Sequence, residues 1–163
     1  MEDAVLGFFA SDGWELTPAG DGHTWGAAVA GEQAAWTTMI QVYEGPGVYA
    51  FYSLVPVEVP EERLAAVVDF LSRANAGMVT GNFEVDFTDS SVRFKTALDM
   101  SALPEAIQAD GLFAAIVREL AYTNVTTTDR YLPGLVAVID GTDPAMALAE
   151  VEASVIDLVD RPS

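Results

Sequence analysis

The residues able to do chemistry are few, and their spacing argues against a reaction centre. His23 is the single histidine, flanked by Gly22 and Thr24, and there is no cysteine. A metal ligand or general base needs partners within reach, and no Cys, second His or close pair of acids accompanies His23. The lack of Cys removes disulfides, thiolate ligands and cysteine nucleophiles together. A Ser-His-Asp triad assembles in space, so spacing leaves it open, but no Gly-x-Ser-x-Gly elbow is present. Gly20-Asp21-Gly22 and Gly45-Pro46-Gly47 lack both the lysine of a phosphate loop and the spacing of a dinucleotide loop, and read as turns. Asp86, Asp89 and Asp99 raise the question of Ca²⁺ or Mg²⁺, but a calcium loop needs a denser set of oxygen donors. Asn124-Val125-Thr126 has the pattern of a glycosylation acceptor without a secretion signal to expose it. No catalytic residue, metal ligand or cofactor is assigned.

Charge narrows the partners. Asp and Glu number 25 against 7 Lys and Arg, for a formal charge of -18, and no basic residue precedes Arg63. A phosphate backbone or an anionic lipid surface is held by clustered Lys and Arg. The sequence therefore predicts neither nucleic-acid nor membrane binding. The acidity suits solubility or a salt-tolerant host, or else an acidic surface that recognises basic protein segments. Met1-Glu2-Asp3 is acidic where a secretory signal is basic, and no apolar run is long enough to span a bilayer. The expected location is the cytoplasm.

The elements that would position any site can be read from periodicity. The chain is 51% hydrophobic over 163 residues, enough for one domain with a real core. Residues 2–10 form a helix ended near Asp12-Gly13, and Trp14 to Thr17 have extended character. Strands come next at 23–30, 34–43 and 48–56, the last two joined by a loop at Glu44-Gly45-Pro46-Gly47. Pro60, Glu61 and Glu62 open a helix over 60–76 whose apolar face is Leu64, Val67, Val68 and Leu71. Strands 81–88 and 91–98 make a hairpin centred on Asp89-Ser90, with Phe87 facing Val92, Val85 facing Phe94, Asp86 facing Arg93 and Glu84 facing Lys95. A helix covers Pro104 to Arg130, Pro133-Gly134 kinks or breaks the chain beyond it, and Asp143-Pro144 starts a last helix over 143–158. The order α-β-β-β-α-β-β-α-α, with short turns between strands, predicts an α+β fold with helices against an antiparallel sheet.

The two central strands carry apolar residues on both faces. Trp36, Ile40 and Val42 share one parity of the second strand, and Met39 and Tyr43 the other. In the third, Tyr49, Phe51 and Val55 alternate against Tyr52 and Leu54. A sheet backed by solvent alternates cleanly. Either helices of this chain cover both faces, or one face meets a second subunit or partner.

The run Asn75 to Asp86 (NAGMVTGNFEVD), preceded by Leu54-Val55-Pro56 and the helix from Pro60 and followed by Arg93-Phe94, resembles the YbjN family of bacterial proteins. Asp129-Arg130-Tyr131-Leu132-Pro133 is similar to that family's later Tyr-and-Pro segment, and the likeness runs from about residue 3 to 155. Members are described as sensory transduction regulators without an agreed biochemical activity. The resemblance implies a fold like that of type III secretion chaperones, with the helix at 143–158 beyond their core. Such chaperones are often acidic homodimers that hold a client segment extended. Bottom-up, Phe83, Val85 and Phe94 read as core, and Asn75 and Asn82 as partners of backbone groups.

The function expected is a non-enzymatic protein-binding regulator or chaperone-like module, acting as a homodimer or through an apolar sheet face. The candidate surface is Trp36, Met39, Tyr43, Tyr49 and Phe51, with Asn82, Glu84, Asp86 and Arg93 on the polar face of the motif. Two alternatives remain: a small-ligand or minor enzymatic pocket between helices and sheet, and a structural subunit of one larger complex.

Overall fold

The computed structural model describes residues 1–20, 22–102 and 111–159, the last six of these in backbone only. Its centre is a six-stranded sheet in the order β1-β2-β3-β4-β6-β5, every neighbouring pair antiparallel. The strands are β1 (Thr17–Ala19), β2 (Thr24–Ala30), β3 (Ala35–Tyr43), β4 (Val48–Leu54), β5 (Asn82–Asp86) and β6 (Ser91–Asp99). The helices are α1 (Glu2–Ser11), α2 (Leu64–Gly77), α3 (Gly111–Ile139) and α4 (Pro144–Val159). The α+β reading holds, with one short strand more than the sequence suggested. The expected helix start at Pro104 and the middle of the Gly20–Gly22 turn lie outside the described residues.

All four helices sit on one side of the sheet. α1 and the first half of α3 bury Val5, Phe8, Phe9, Phe113 and Val117 against Trp25, Ile40, Tyr49 and Phe51. α2, α4 and the second half of α3 bury Phe70, Leu71, Leu135, Val138 and Val151 against Phe83, Val92 and Phe94. Between these two apolar cores runs a buried polar line, Thr38, Ser53, Thr96, Asn124 and Thr128. Thr38, Ser53, Thr96 and the Asn124 amide nitrogen are hydrogen-bonded across elements, as low-dielectric surroundings demand, while Asn124 Oδ1 and Thr128 Oγ1 have no partner among the described residues. The Asn124 amide nitrogen donates to the carbonyls of Phe51 and Phe94 at 3.0 and 3.1 Å, and Thr96 Oγ1 donates to the Leu120 carbonyl at 3.0 Å. Trp36 Nε1 donates to Ser53 Oγ at 2.9 Å. The line pins α3 across the centre of the sheet.

Two expectations are corrected. The β5–β6 hairpin is displaced by two residues: Val85 faces Val92, Glu84 faces Arg93 and Phe83 faces Phe94. The turn is longer than two residues because Asp86 accepts the Thr88 N–H at 2.8 Å, Asp89 accepts the Ser91 N–H at 2.9 Å, and Ser90 adopts a positive φ of 60°. These local side-chain bonds fix a looser loop, which leaves Phe87 out in solvent. A two-residue shift preserves parity, so every side chain still paired in the two strands keeps its predicted face. The second correction is α3: of the kink or break expected at Pro133-Gly134, the break does not occur, and the helix continues to Ile139. A proline in a helix interior costs about 3 kcal/mol. Here Tyr131, Leu132, Leu135 and Val138 are buried on either side of it, and that burial holds the helix across the missing bond.

The predicted start of α4 is seen as expected, whereas Pro60 is extended and precedes a 3-10 turn, so that α2 itself begins at Leu64. Asp143 Oδ1 accepts the N–H groups of Ala145 and Met146 at 3.0 and 3.2 Å, capping α4. The Arg63 guanidinium, from the 3-10 turn Glu61–Arg63, donates to the Val138 carbonyl near the end of α3.

Candidate functional site: the helix-free face of the sheet

The sheet face opposite the helices is left open by the described residues. The strand register sets its side chains in rows. Gly26, Met39, Tyr52, Lys95 and Asn82 form one row across five strands, and Ala28, Thr37, Leu54, Arg93 and Glu84 form the next. Tyr43, Val48 and Asp99 form a third at one end. Tyr43 is 43% exposed and Leu54 40%, each at the last position of a central strand, while Met39 and Tyr52 between them are half-buried.

The polar groups of this face are paired with one another. Glu84 accepts from Arg93 Nε at 2.7 Å and from the Lys95 ammonium, so one carboxylate serves two cations. The Arg93 guanidinium lies 5.1 Å from the centre of the Tyr52 ring, a cation–π geometry. Partial burial works to raise the Glu84 pKa, but the hydrogen bonds from Lys95 and Arg93 outweigh it and hold the carboxyl below its ordinary value. Burial pushes the Tyr52 phenol up. Tyr43 donates to Gln41 Oε1 at 2.7 Å. This is a surface of aromatic and aliphatic groups held in place by satisfied charges, with no nucleophile beside a base.

The structure divides the candidate surface residues. Met39, Tyr43, Asn82, Glu84, Asp86 and Arg93 lie on the open face. Trp36, Tyr49 and Phe51 lie on the other, at 5%, 0% and 0% exposure, packed under the helices. They are core and unavailable to a partner, because alternation along a strand sends neighbours to opposite sides. The Tyr49 hydroxyl is buried without a hydrogen-bond partner among the described residues, and burial raises its pKa well above the ordinary phenol value. Sequence reasoning left out Tyr52, Leu54 and Lys95, which the open face shows. The signal was their parity, shared with Met39 and Tyr43 through the β3–β4 loop.

Asn75 and Asn82 take different parts. Asn75 grips the backbone of Phe83 at both ends: its Oδ1 accepts the Phe83 N–H at 2.7 Å and its Nδ2 donates to the Phe83 carbonyl at 3.0 Å. Asn82 makes one long contact to the same carbonyl, at 3.4 Å. The motif at 75–86 is thus in large part a structural clamp between α2 and β5. Asp86 and Asp89 are engaged in their turn, and Asp99 accepts the Ser101 N–H at 2.9 Å. His23 pairs with Glu2 at 3.0 Å at the surface.

A pocket between helices and sheet would need convergent polar groups. A groove of about 840 Å³ lies between the β2–β3 hairpin, α3 and α4. Its Asp129 carboxylate accepts the N–H groups of Glu32 and Gln33 at 2.9 and 3.0 Å, which closes that hairpin. The groove gathers no set of groups aimed at a common point.

No family model matches the sequence, and no curated protein matches it either. Solved structures are similar to it to different degrees. YbjN from E. coli, described as a proposed transcription regulator, superposes with a TM-score of 0.57 at 14% identity, over 79% of this chain and 89% of that one. The ExsC–ExsE complex gives a TM-score of 0.48 at 10% identity, over 80% of this chain and 90% of that one. The HopA1–SchA chaperone–effector complex gives 0.35 at 11% identity, over 73% and 91%. The chain has a YbjN-like fold, as the motif at 75–94 implied.

Proposed function

We propose that this protein works by binding another protein surface through the open face of its sheet, without catalytic chemistry of its own. The carrying observation is that all helices of the described residues lie on one side, while Met39, Tyr43, Tyr52 and Leu54 line the other. Such a face gains by being covered, since apolar area removed from water contributes roughly 25 cal/mol per Å². The Glu84–Arg93–Lys95 group supplies orientation around that apolar centre, as charged rims do at interfaces. The fold shared with YbjN supports a regulator-like module, and the absence of convergent reactive groups among the described residues favours binding over catalysis. The covering surface is a second copy or a protein partner.

The test pairs sedimentation equilibrium with affinity capture from the host lysate, comparing the native chain with Leu54→Asp and Tyr52→Ala. A dimer or a reproducible partner that both substitutions disrupt supports this reading. A monomer that captures the same proteins with and without the substitutions refutes it.

A further inference from the structure

The sheet has two edges, and the chain treats them differently. On β5 the outward-facing backbone groups belong to Phe83 and Val85. Asn75 occupies both groups of Phe83 and so mimics a neighbouring strand, leaving a single residue before the turn. On the opposite edge, β1 covers only the first half of β2, pairing Thr17 with Gly26 and Ala19 with Thr24. The parity of β2 can be read from its ends. The His23 carbonyl accepts from Val42 and the Gly31 N–H donates to Ala34, so odd-numbered residues face β3 and even-numbered ones face outward. Thr24 and Gly26 meet β1. The N–H and C=O groups of Ala28 and Ala30 meet no described backbone partner.

That free edge is reachable and lacks the usual guards. Lysine, proline or a bulge ordinarily blunts an edge strand, whereas Gly26, Ala27, Ala28 and Ala30 are small and uncharged. A groove of about 740 Å³ runs beside them, walled by Trp14, Tyr122 and Val125. It continues past Ala30 into the groove between the hairpin, α3 and α4, with which it shares Tyr122 and Val125. Along this joined path stand Asp12, Glu15, Glu32, Asp129 and Glu150, against Arg130 in the lining and Arg118, which lies 3.8 Å from Asp12. A second copy would bring the same acids to the same acids, in a chain of formal charge -18. Self-pairing here is therefore opposed, and a basic segment is favoured.

We infer that the free edge of β2 is a strand-addition site for an extended, lysine- or arginine-bearing segment of a partner protein. The segment pairs with Ala28 and Ala30 through backbone hydrogen bonds and sets its basic side chains among the acids of the adjoining groove. This inference rests on the protein-binding reading above but uses a different surface of the sheet, so the two can fail separately.

The probe is a short synthetic peptide alternating lysine and valine, titrated into isotopically labelled full-length protein at low and high salt. Amide exchange at Ala28 and Ala30 should slow on binding, and affinity should fall with salt. Ala28→Pro removes an outward donor while keeping β2–β3 pairing, and should weaken binding about tenfold, as expected for losing one or two hydrogen bonds. Glu32→Gln with Glu150→Gln should weaken binding and flatten its salt dependence, a check independent of the proline variant. A peptide with proline replacing each valine keeps the charge but cannot pair as a strand, and should bind far less tightly. Equal binding of both peptides, no binding of either, or shifts at Met39, Tyr52 and Lys95 unaffected by Ala28→Pro would each overturn the edge site. The last of these would leave the open-face reading standing, and Leu54→Asp would then abolish the binding.

Discussion

The two faces of β4 have nearly the same hydrophobicity in sequence and opposite surroundings in the fold. Tyr49, Phe51 and Ser53 point under the helices and are fully buried, while Tyr52 and Leu54, one residue along, stand among Met39, Arg93 and Lys95. The buried side is joined to α3 through Asn124 and Thr96, and the helices of both apolar cores pack against it. The open side is fixed only by the strands themselves and by the ion pairs of Glu84. The difference teaches that apolar content alone does not mark a core. What marks it is whether a second layer of the same chain arrives above it.

The contrast can be broken most directly by truncating one residue on each face. Phe51→Ala should destabilise by about 3–5 kcal/mol, as cavity-forming aromatic deletions do. Leu54→Ala should change stability by less than about 0.5 kcal/mol. Urea denaturation of the two variants checks this, and similar midpoints would mean that the open face is covered in solution. Asn124→Ala comes next. It leaves the carbonyls of Phe51 and Phe94 without their side-chain donor in the interior, at about 1–3 kcal/mol, and should lower the thermal midpoint while leaving partner binding intact.

The smallest effect is the pH dependence of the open face. The folded pKa of Glu84 lies below its ordinary 4.5. Its contribution is therefore fully present above the unfolded value and is lost as pH falls through the lower folded one. Partial exposure keeps it to about 0.5 kcal/mol or less. Glu84→Gln should remove that acid-limb increment between pH 5 and 3, in stability curves measured by circular dichroism, with little change at pH 7.

Much of this architecture was legible in the residues. Pro60-Glu61-Glu62, Asp143-Pro144 and the Gly-Pro-Gly loop at 45–47 mark boundaries through local backbone chemistry, which needs no tertiary partner. Parity was legible too: the β5–β6 register slipped by two, yet Glu84 and Arg93 still share a face, because side chains repeat every second residue. The turn itself was misjudged, since the Asx bonds of Asp86 and Asp89 compete with a tight turn in a way that pairing patterns do not show. Pro133 was misjudged because the packing that holds α3 through it comes from α2 and α4, distant in sequence. The candidate surface was half legible. Trp36, Tyr49 and Phe51 look as suited to a partner as Met39 and Tyr43 until the helices are placed.

By itself the sequence determined the element order apart from β1, the antiparallel pairing and the parity of each strand. All of these stem from local dihedral preferences, residue type and the twofold period of strands. Only the tertiary structure decided which sheet face the helices cover, that Asn75 closes one edge, and that the chain leaves Ala28 and Ala30 open at the other. Those outcomes depend on where segments far apart in the chain meet, and no local property of β2, β4 or β5 records it.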